Sequence, residues 1–324
     1  MLVRQRQASA ARPGAGLSMH RRRAQLPFLL ATLIPLGLVW GSFWLYPLLN
    51  GLWGSVTDWR GFVMEQPFVG LQNYIDLAND ALFVRSLQNS LLFTLMYVPL
   101  ALALALGVAL LVEASGKLRP LFRMLYFMPF ITSVTATALI WAWLYQPSFG
   151  LFNQVLALLG LPEQRFLRSP TQALPAIVGY QLWKELGFNM VLFIAGLGAI
   201  DRSYYEAARV DGANRWQIFW RITLPLLQPT VVLLLVTNLI WSLQVFGPIF
   251  IMSSSAVNEP PGGPLNATIT VAVYQWQMAF RQLRLGYGAA VGTVVFVITL
   301  IVTLLQWRLL RRDWDYGRAW AVCR

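Results

Sequence analysis

The sequence is poor in the side chains from which most catalytic and metal centres are built. It has one cysteine, Cys323, beside the C-terminus, and one histidine, His20, in a basic segment near the N-terminus. No disulfide framework can form within the chain. A zinc site needs about four His, Cys or carboxylate ligands held close together; nothing here supplies them, so no metal and no cofactor is expected on this chain. Charge is also scarce: 12% of residues are charged, against roughly 25% in an ordinary soluble domain. What takes its place is apolar, 57% of 324 residues. A soluble fold of this length cannot hide that much apolar surface, and runs of about 20 apolar residues read as membrane-spanning helices. The expected class is an all-α integral membrane protein.

Six runs qualify, at about 26–49, 86–112, 121–145, 171–200, 226–252 and 286–307. The first follows a basic stretch, as a signal peptide would, but it is too long for an h-region and no small-residue cleavage site follows. We take it as a retained helix. Residues 1–23 are rich in Arg, Ala and Gly without hydrophobic periodicity and are expected to form a disordered tail. This gives a tail at 1–23, a six-span domain at 24–310 with a polar loop at 201–225, and a C-terminal tail at 311–324. Residues 50–84 and 146–170 read as outer loops, and Pro260-Pro261-Gly262-Gly263-Pro264 as a turn-rich loop before the last span. Pro99 and Pro129 lie within spans, where kinks or hinges are tolerated. No internal repeat of the kind found in many secondary transporters is evident.

Six spans put both termini on one side, and the basic residues identify it. The N-terminal tail, the turn carrying Lys117, Arg119 and Arg123, the 201–225 loop and the stretch after the last apolar run, 308–324, together hold 18 of the 25 Lys and Arg residues. Positive residues stay cytoplasmic during insertion, so both termini and the loop are expected inside. Six of the 13 acidic residues fall on that side, which leaves the whole net charge of +12 there and none on the rest of the chain. The basic excess is thus topological. It gives no reason to expect a nucleic-acid groove, which needs interleaved aromatics.

The 201–225 loop has a pattern of its own. Glu206, Ala207 and Ala208 are strong helix formers, and Gly212 suits the left-handed position that ends such a helix. Trp216, Phe219 and Trp220 follow at i, i+3 and i+4 of a second helical segment, which Pro225 is expected to end. The residues alone leave open an amphipathic connector resting on the membrane surface. However, Glu206-Ala207-Ala208, three residues, Gly212, nine residues and Ile222-Thr223-Leu224-Pro225 resemble without a gap the EAA motif of ABC importer permeases. Asp211, Ala213 and Phe219 resemble its carbohydrate branch, the MalF-like subunits. Weaker supporting stretches occur in the expected order at 68–74, 86–94, 141–153, 183–188, 262–268 and 285–290, so that only the tail before about residue 24 falls outside the likeness.

The resemblance implies a type I importer permease fold in the bacterial inner membrane, multi-pass and non-catalytic. It implies that Glu206, Ala207, Ala208, Asp211, Gly212, Ala213, Phe219, Leu224 and Pro225 form the surface that couples to an ATPase dimer. Further implied partners are a second permease, expected to be a distinct chain, and an extracytoplasmic binding protein that delivers a sugar or sugar-like solute. ATP and magnesium would then sit on the ATPase. In agreement, Gly116-Lys117 lacks the earlier glycine and the following Ser or Thr of a phosphate loop.

Polar groups inside spans tend to face the bundle interior or a water-filled cavity. The fourth and fifth spans offer Trp183, Lys184, Asn189, Asn238, Trp241 and Gln244 as solute-path candidates, with Gln181, Glu185 and Ser242 beside them. Sugars are held by hydrogen bonds to hydroxyls and by stacking on aromatics, which amides and tryptophans provide. The competing expectation is that such amides glue helices together and that tryptophans form interfacial belts. Gly288 and Gly292 have the spacing of a close helix contact, with the partner permease as its expected other side. An ion-coupled secondary carrier or channel is the alternative function; it would need a paired intramembrane carboxylate or histidine relay, and only Glu185 with Lys184 comes near one. A membrane enzyme would need an interfacial His, Asp or Ser cluster, and none is present.

Overall fold

The computed structural model describes residues 31–61, 65–254 and 261–321, with 307 and 309–321 as backbone. The tail at 1–23, His20, Pro260 and Cys323 lie outside these residues. The chain divides into two units, 1–53 and 54–324. The described part of the first lies in the helix α1 (Ala31–Gly54), which is apolar over its length and passes through a π-turn at Gly41–Leu45. Nearly all its side chains are exposed.

The second unit begins with a short segment before its first long helix. The Asn73 side chain donates to the carbonyls of Ser55 and Thr57, both at 2.9 Å, and so ties α2 (Gln72–Asn79) to the chain before it. Asp80 then caps α3 (Ala81–Ala114) by accepting from the amides of Leu82 and Phe83. At 1.5 Å per residue the 34 residues of α3 exceed the ~30 Å hydrocarbon layer. Its buried residues include Ser86, Asn89, Ser90, Phe93, Tyr97, Ala101, Ala105, Ala109 and Val112. They recur every three or four residues, which makes one stripe.

That stripe packs on α7 (Ala173–Gly198) and α10 (Gln228–Leu243). One apolar core joins Phe93 and Tyr97 to Ile177, Tyr180, Ile249, Tyr274 and Val291. A second joins Ala105, Ala109 and Val112 to Met190, Phe193, Leu227 and Leu234. The remaining helices are α4 (Arg119–Ile131), α5 (Val134–Leu144), α6 (Leu151–Leu158), α8 (Arg202–Val210), α9 (Arg215–Leu226), α11 (Gly247–Ser253), α12 (Val271–Trp276) and α13 (Leu285–Ala321). A π-turn, Gln277–Arg281, extends α12.

Among the described residues, three helices are long and apolar enough to cross a membrane alone: α1, α3 and the Leu285–Gln306 part of α13. Up to six cross if each bent pair is one span, namely α4 with α5 at 95°, α7 with α8 at 67° and α9 with α10 at 64°. The apolar run at 121–145 is therefore two helices meeting at Thr132 and Ser133, whose ψ values of 155° and 128° are extended. The run at 226–252 is likewise broken after Leu243 and resumes as α11. The helix α12 falls where the sequence suggested only loop. The chain stays helical through Pro99 without a break.

The close contact of Gly288 and Gly292 is made within the chain. A Cβ on Gly288 would lie 2.9 Å from the Cβ of Ala279, and one on Gly292 would lie 2.6 Å from Nε2 of Gln275. The small face of the last span thus receives α12 and its π-turn, which corrects the expectation of a partner chain there. At six residues α12 is too short to show a clear hydrophobic period.

Candidate functional site

Two regions hold the residues singled out from the sequence. The first is the polar loop. Asp201 caps α8 by accepting from the Ser203 amide at 2.8 Å, and this backbone bond, with help from the Ser203 side chain, holds the Asp201 carboxyl below its ordinary value. At the other end of α8, the Gly212 amide donates to the carbonyl of Arg209 and the Ala213 amide to that of Ala208. These are the two bonds of a Schellman stop, and Gly212 takes the left-handed φ of +75° that the stop requires. Asn214 and Gln217 then exchange backbone bonds at 2.9 Å each, a capping box that starts α9. Both helix ends at the tip are therefore satisfied from within the loop.

Of the candidate residues there, Ala208 is buried under the turn, Ala213, Phe219 and Leu224 are partly buried, and Glu206, Ala207, Asp211, Gly212 and Pro225 are exposed. The Glu206 carboxylate makes no hydrogen bond or ion pair with the described residues, and Val210 beside it is 88% exposed. Trp216, Phe219 and Trp220 form one aromatic cluster, with centroids 5.3 to 6.3 Å apart. One local expectation differs. Pro225 does not end the segment: α9 continues to Leu226 and the bend falls at Leu227. A π-turn at Phe219–Thr223 loosens the ladder just before Pro225, so its missing amide is accommodated.

The second region lies between the two apolar cores. The Tyr97 hydroxyl donates to Oδ1 of Asn238 at 2.9 Å, and Nδ2 of Asn238 donates to Oδ1 of Asn189 at 2.9 Å. Tyr97, Asn189 and Asn238 are buried, so they clasp α3, α7 and α10 together at one level. The other candidates are placed differently. Trp183 is partly open and packs on Trp141 at 5.3 Å. Trp241 is exposed and packs on Phe188 at 5.4 Å, which stacks in turn on Phe130 at 4.9 Å. Gln244 is exposed at the end of α10. Trp241 points to an open side of α10, while Asn238 and Ser242 of the same helix are buried.

Lys184 is buried, and its ammonium donates to the carbonyls of Pro129, Phe130 and Thr132. Beside it, Oε1 of Gln181 and Oε2 of Glu185 are buried acceptors without a partner among the described residues. Unmatched buried acceptors call for a donor. Sequence reasoning missed Tyr97, because one hydroxyl in a long apolar run carries no spacing signal. It also missed the aromatic wall at Trp141 and Tyr180, which nothing but packing reveals. Among the described residues no group of three or more His, Cys, Asp or Glu stands where it would hold a metal ion.

With the geometry in hand, the chain can be compared with known proteins. The family described as "Binding-protein-dependent transport system inner membrane component" matches residues 90–313. A probable ABC transporter permease protein of Pyrococcus horikoshii is 33% identical over 291 residues, which cover 89% of this chain and 97% of that protein. The trehalose/maltose transport system permease protein MalF of Thermococcus litoralis is 33% identical over 297 residues, covering 90% and 96%. Among solved structures, a chain of a bacterial alginate ABC transporter, in complex with its alginate pentasaccharide-bound periplasmic protein, superposes with a TM-score of 0.77. Its identity is 26%, with 92% of this chain and 98% of that chain covered.

Proposed function

The chain belongs to the family of binding-protein-dependent transport system inner membrane components, and from that premise we propose how its two sites divide the work. It is a multi-pass inner-membrane permease of an ABC importer, with six spans, α4–α5 and the α10–α11 region each counting as one, and both termini cytoplasmic. The cytoplasmic loop is the attachment point for an ATPase dimer that carries ATP and magnesium. A second, distinct permease completes the path, and an extracytoplasmic binding protein delivers the cargo. The chain itself makes and breaks no bonds.

The observation that carries the loop's role is its tip. A helix stop and a capping box close both helix ends, while an unpaired carboxylate, Glu206, and an 88% exposed Val210 stand outside. Such a self-contained knob is suited to a cleft on another protein, with Glu206 facing a basic residue there. Glu206, Ala207, Asp211, Gly212 and Pro225 supply its exposed surface; Ala208, Ala213, Phe219 and Leu224 hold it from beneath. E206K combined with G212A should abolish recruitment of the ATPase to membranes and solute-stimulated ATP hydrolysis. Unchanged recruitment would reject this assignment.

For the cargo, a sugar or sugar-like solute fits best. Relatives of known name include the trehalose/maltose permease, and this chain offers open tryptophans, Trp183 and Trp241, with the amide of Gln244 and the unmatched acceptors of Gln181 and Glu185. Asn189 and Asn238 lie behind them and set the level of the path. A thermal-shift screen of the binding protein against a sugar panel tests this; a response confined to amino acids or ions would overturn it.

A further inference from the structure

Lys184 is buried, with 2% of its surface exposed, in the middle of a helix that crosses the membrane. A charge there requires partners. The obvious one is its neighbour Glu185, yet no ion pair joins the two among the described residues. Instead Nζ lies 2.5 Å from the carbonyl oxygen of Pro129, 3.1 Å from that of Phe130 and 2.6 Å from that of Thr132, with the Thr132 hydroxyl at 3.4 Å. An ammonium has three N–H donors, so these oxygens take all of them. Nothing is left to offer a passing solute.

Those carbonyls belong to the last turn of α4 and to its C-cap residue Thr132, where α4 and α5 meet at 95°. A helix that stops inside a membrane leaves its last carbonyls without intrahelical donors, and no water replaces them in hydrocarbon. The same end carries the negative pole of the helix dipole. Here the Pro129 oxygen also accepts from the amide and hydroxyl of Thr132, and the ammonium adds the donors to Phe130 and Thr132 together with the opposing charge. The fit is also steric: one turn further along α7, a Cβ on Gly187 would collide with the Tyr126 carbonyl and the Phe127 Cα, so the α4 backbone lies directly on α7 here. Only three residues separate α7 from α8 at its inner end.

We propose that Lys184 is a positioning residue that clamps the break of the third span to the fourth. Displacement entering at the 201–226 loop passes along α7 and reaches the break through this clamp. The assignment rests on the importer reading and deepens it: Lys184 serves the path by holding its hinge, and Trp183, Trp241 and Gln244 are left to meet the solute.

The test uses the complete importer in nanodiscs, with Cys323→Ser and nitroxides at Gly198→Cys and Trp143→Cys, one on each side of the clamp. Inter-label distance is measured without solute, before and after trapping with ATP and vanadate. The native Lys184 should give a distance shift on trapping. K184M should abolish it, and K184R, which keeps charge and donors, should restore most of it. K184Q keeps two donors without charge and should give an intermediate shift, which decides the matter if K184M does not assemble. A shift in K184M or K184Q equal to the native one would overturn the clamp; so would equal loss in K184M and K184R, which would mean packing alone. No shift in the native complex would instead count against the importer reading itself.

Discussion

Asp80 shows how much one side chain can anchor. Its Oδ1 caps α3, and its Oδ2 accepts from the Tyr274 hydroxyl at 2.5 Å and the Tyr287 hydroxyl at 3.2 Å. Arg284 stacks over the Tyr287 ring at 4.3 Å. Burial opposes the carboxylate, but the Tyr274 bond, the two amides and Tyr287 outweigh it and hold its pKa below the ordinary value. A carboxyl depressed in the folded state stabilises above its unfolded pKa, near 3.8, and loses that contribution as pH falls through the lower folded value. D80N should therefore melt earlier than the native protein at pH 5–8 by about 1 kcal/mol, the difference between charge-assisted and neutral bonds. As pH falls through the lowered folded value the gap between the two melting curves should shrink, since the native carboxyl then loses its charge. Differential scanning fluorimetry in detergent measures both. Neither Asp80 nor Lys184 announced this use in the sequence. Asp80 read as an outer-loop residue because its tyrosine partners lie about 200 positions away. Lys184 read as a solute contact because its true partners are main-chain oxygens, which every residue has.

At the scale of elements, apolar run length marked where apolar helices form, while the breaks within the runs stayed hidden. The stretch around Thr132 and Ser133 is too short and too weakly polar to interrupt a hydropathy window, yet it turns α4 from α5 by 95°. What fixes the corner is the contact between α4 and α7, and that makes a sharp prediction. G187A should destabilise the protein by about 1–3 kcal/mol, the usual cost of overpacking, because the obstacle is the Tyr126–Phe127 backbone, which cannot swing aside. G198A on the same helix meets nothing within 4 Å and should be neutral or slightly stabilising, as Gly-to-Ala changes in helices are. Paired melting curves of the two variants separate the contact from simple helix propensity. The helix-turn-helix of the loop, by contrast, was legible beforehand, since Gly212 and the Glu206-Ala207-Ala208 run carry strong local preferences. Only the passage of α9 through Pro225 departs from it, because a π-turn is a property of the whole ladder.

For the whole molecule, the distribution of basic residues predicts an orientation that surface labelling can check. With Cys323→Ser as background, Leu158→Cys on α6, where Leu158 is 87% exposed, should react with a membrane-impermeant maleimide in intact cells. Val210→Cys should react only after permeabilisation, in cells lacking the ATPase; the reverse pattern would invert the topology. Orientation matters because of how the loop is attached. It joins α7 to α10, and the Asn189–Asn238 clasp joins the same two helices again, nine residues above Gly198 and ten above Gln228. At 1.5 Å per residue both arms are about 14–15 Å long, so the loop and the clasp close a ring with nearly equal sides. Whatever coupling passes between the clasp and the loop is reciprocal. If solute held at the level of the clasp changes the loop's affinity for the ATPase by some factor, the ATPase must change the affinity for solute by the same factor. Titrating either partner in the presence of the other would then report a single free energy, written once into the ring and readable from both of its ends.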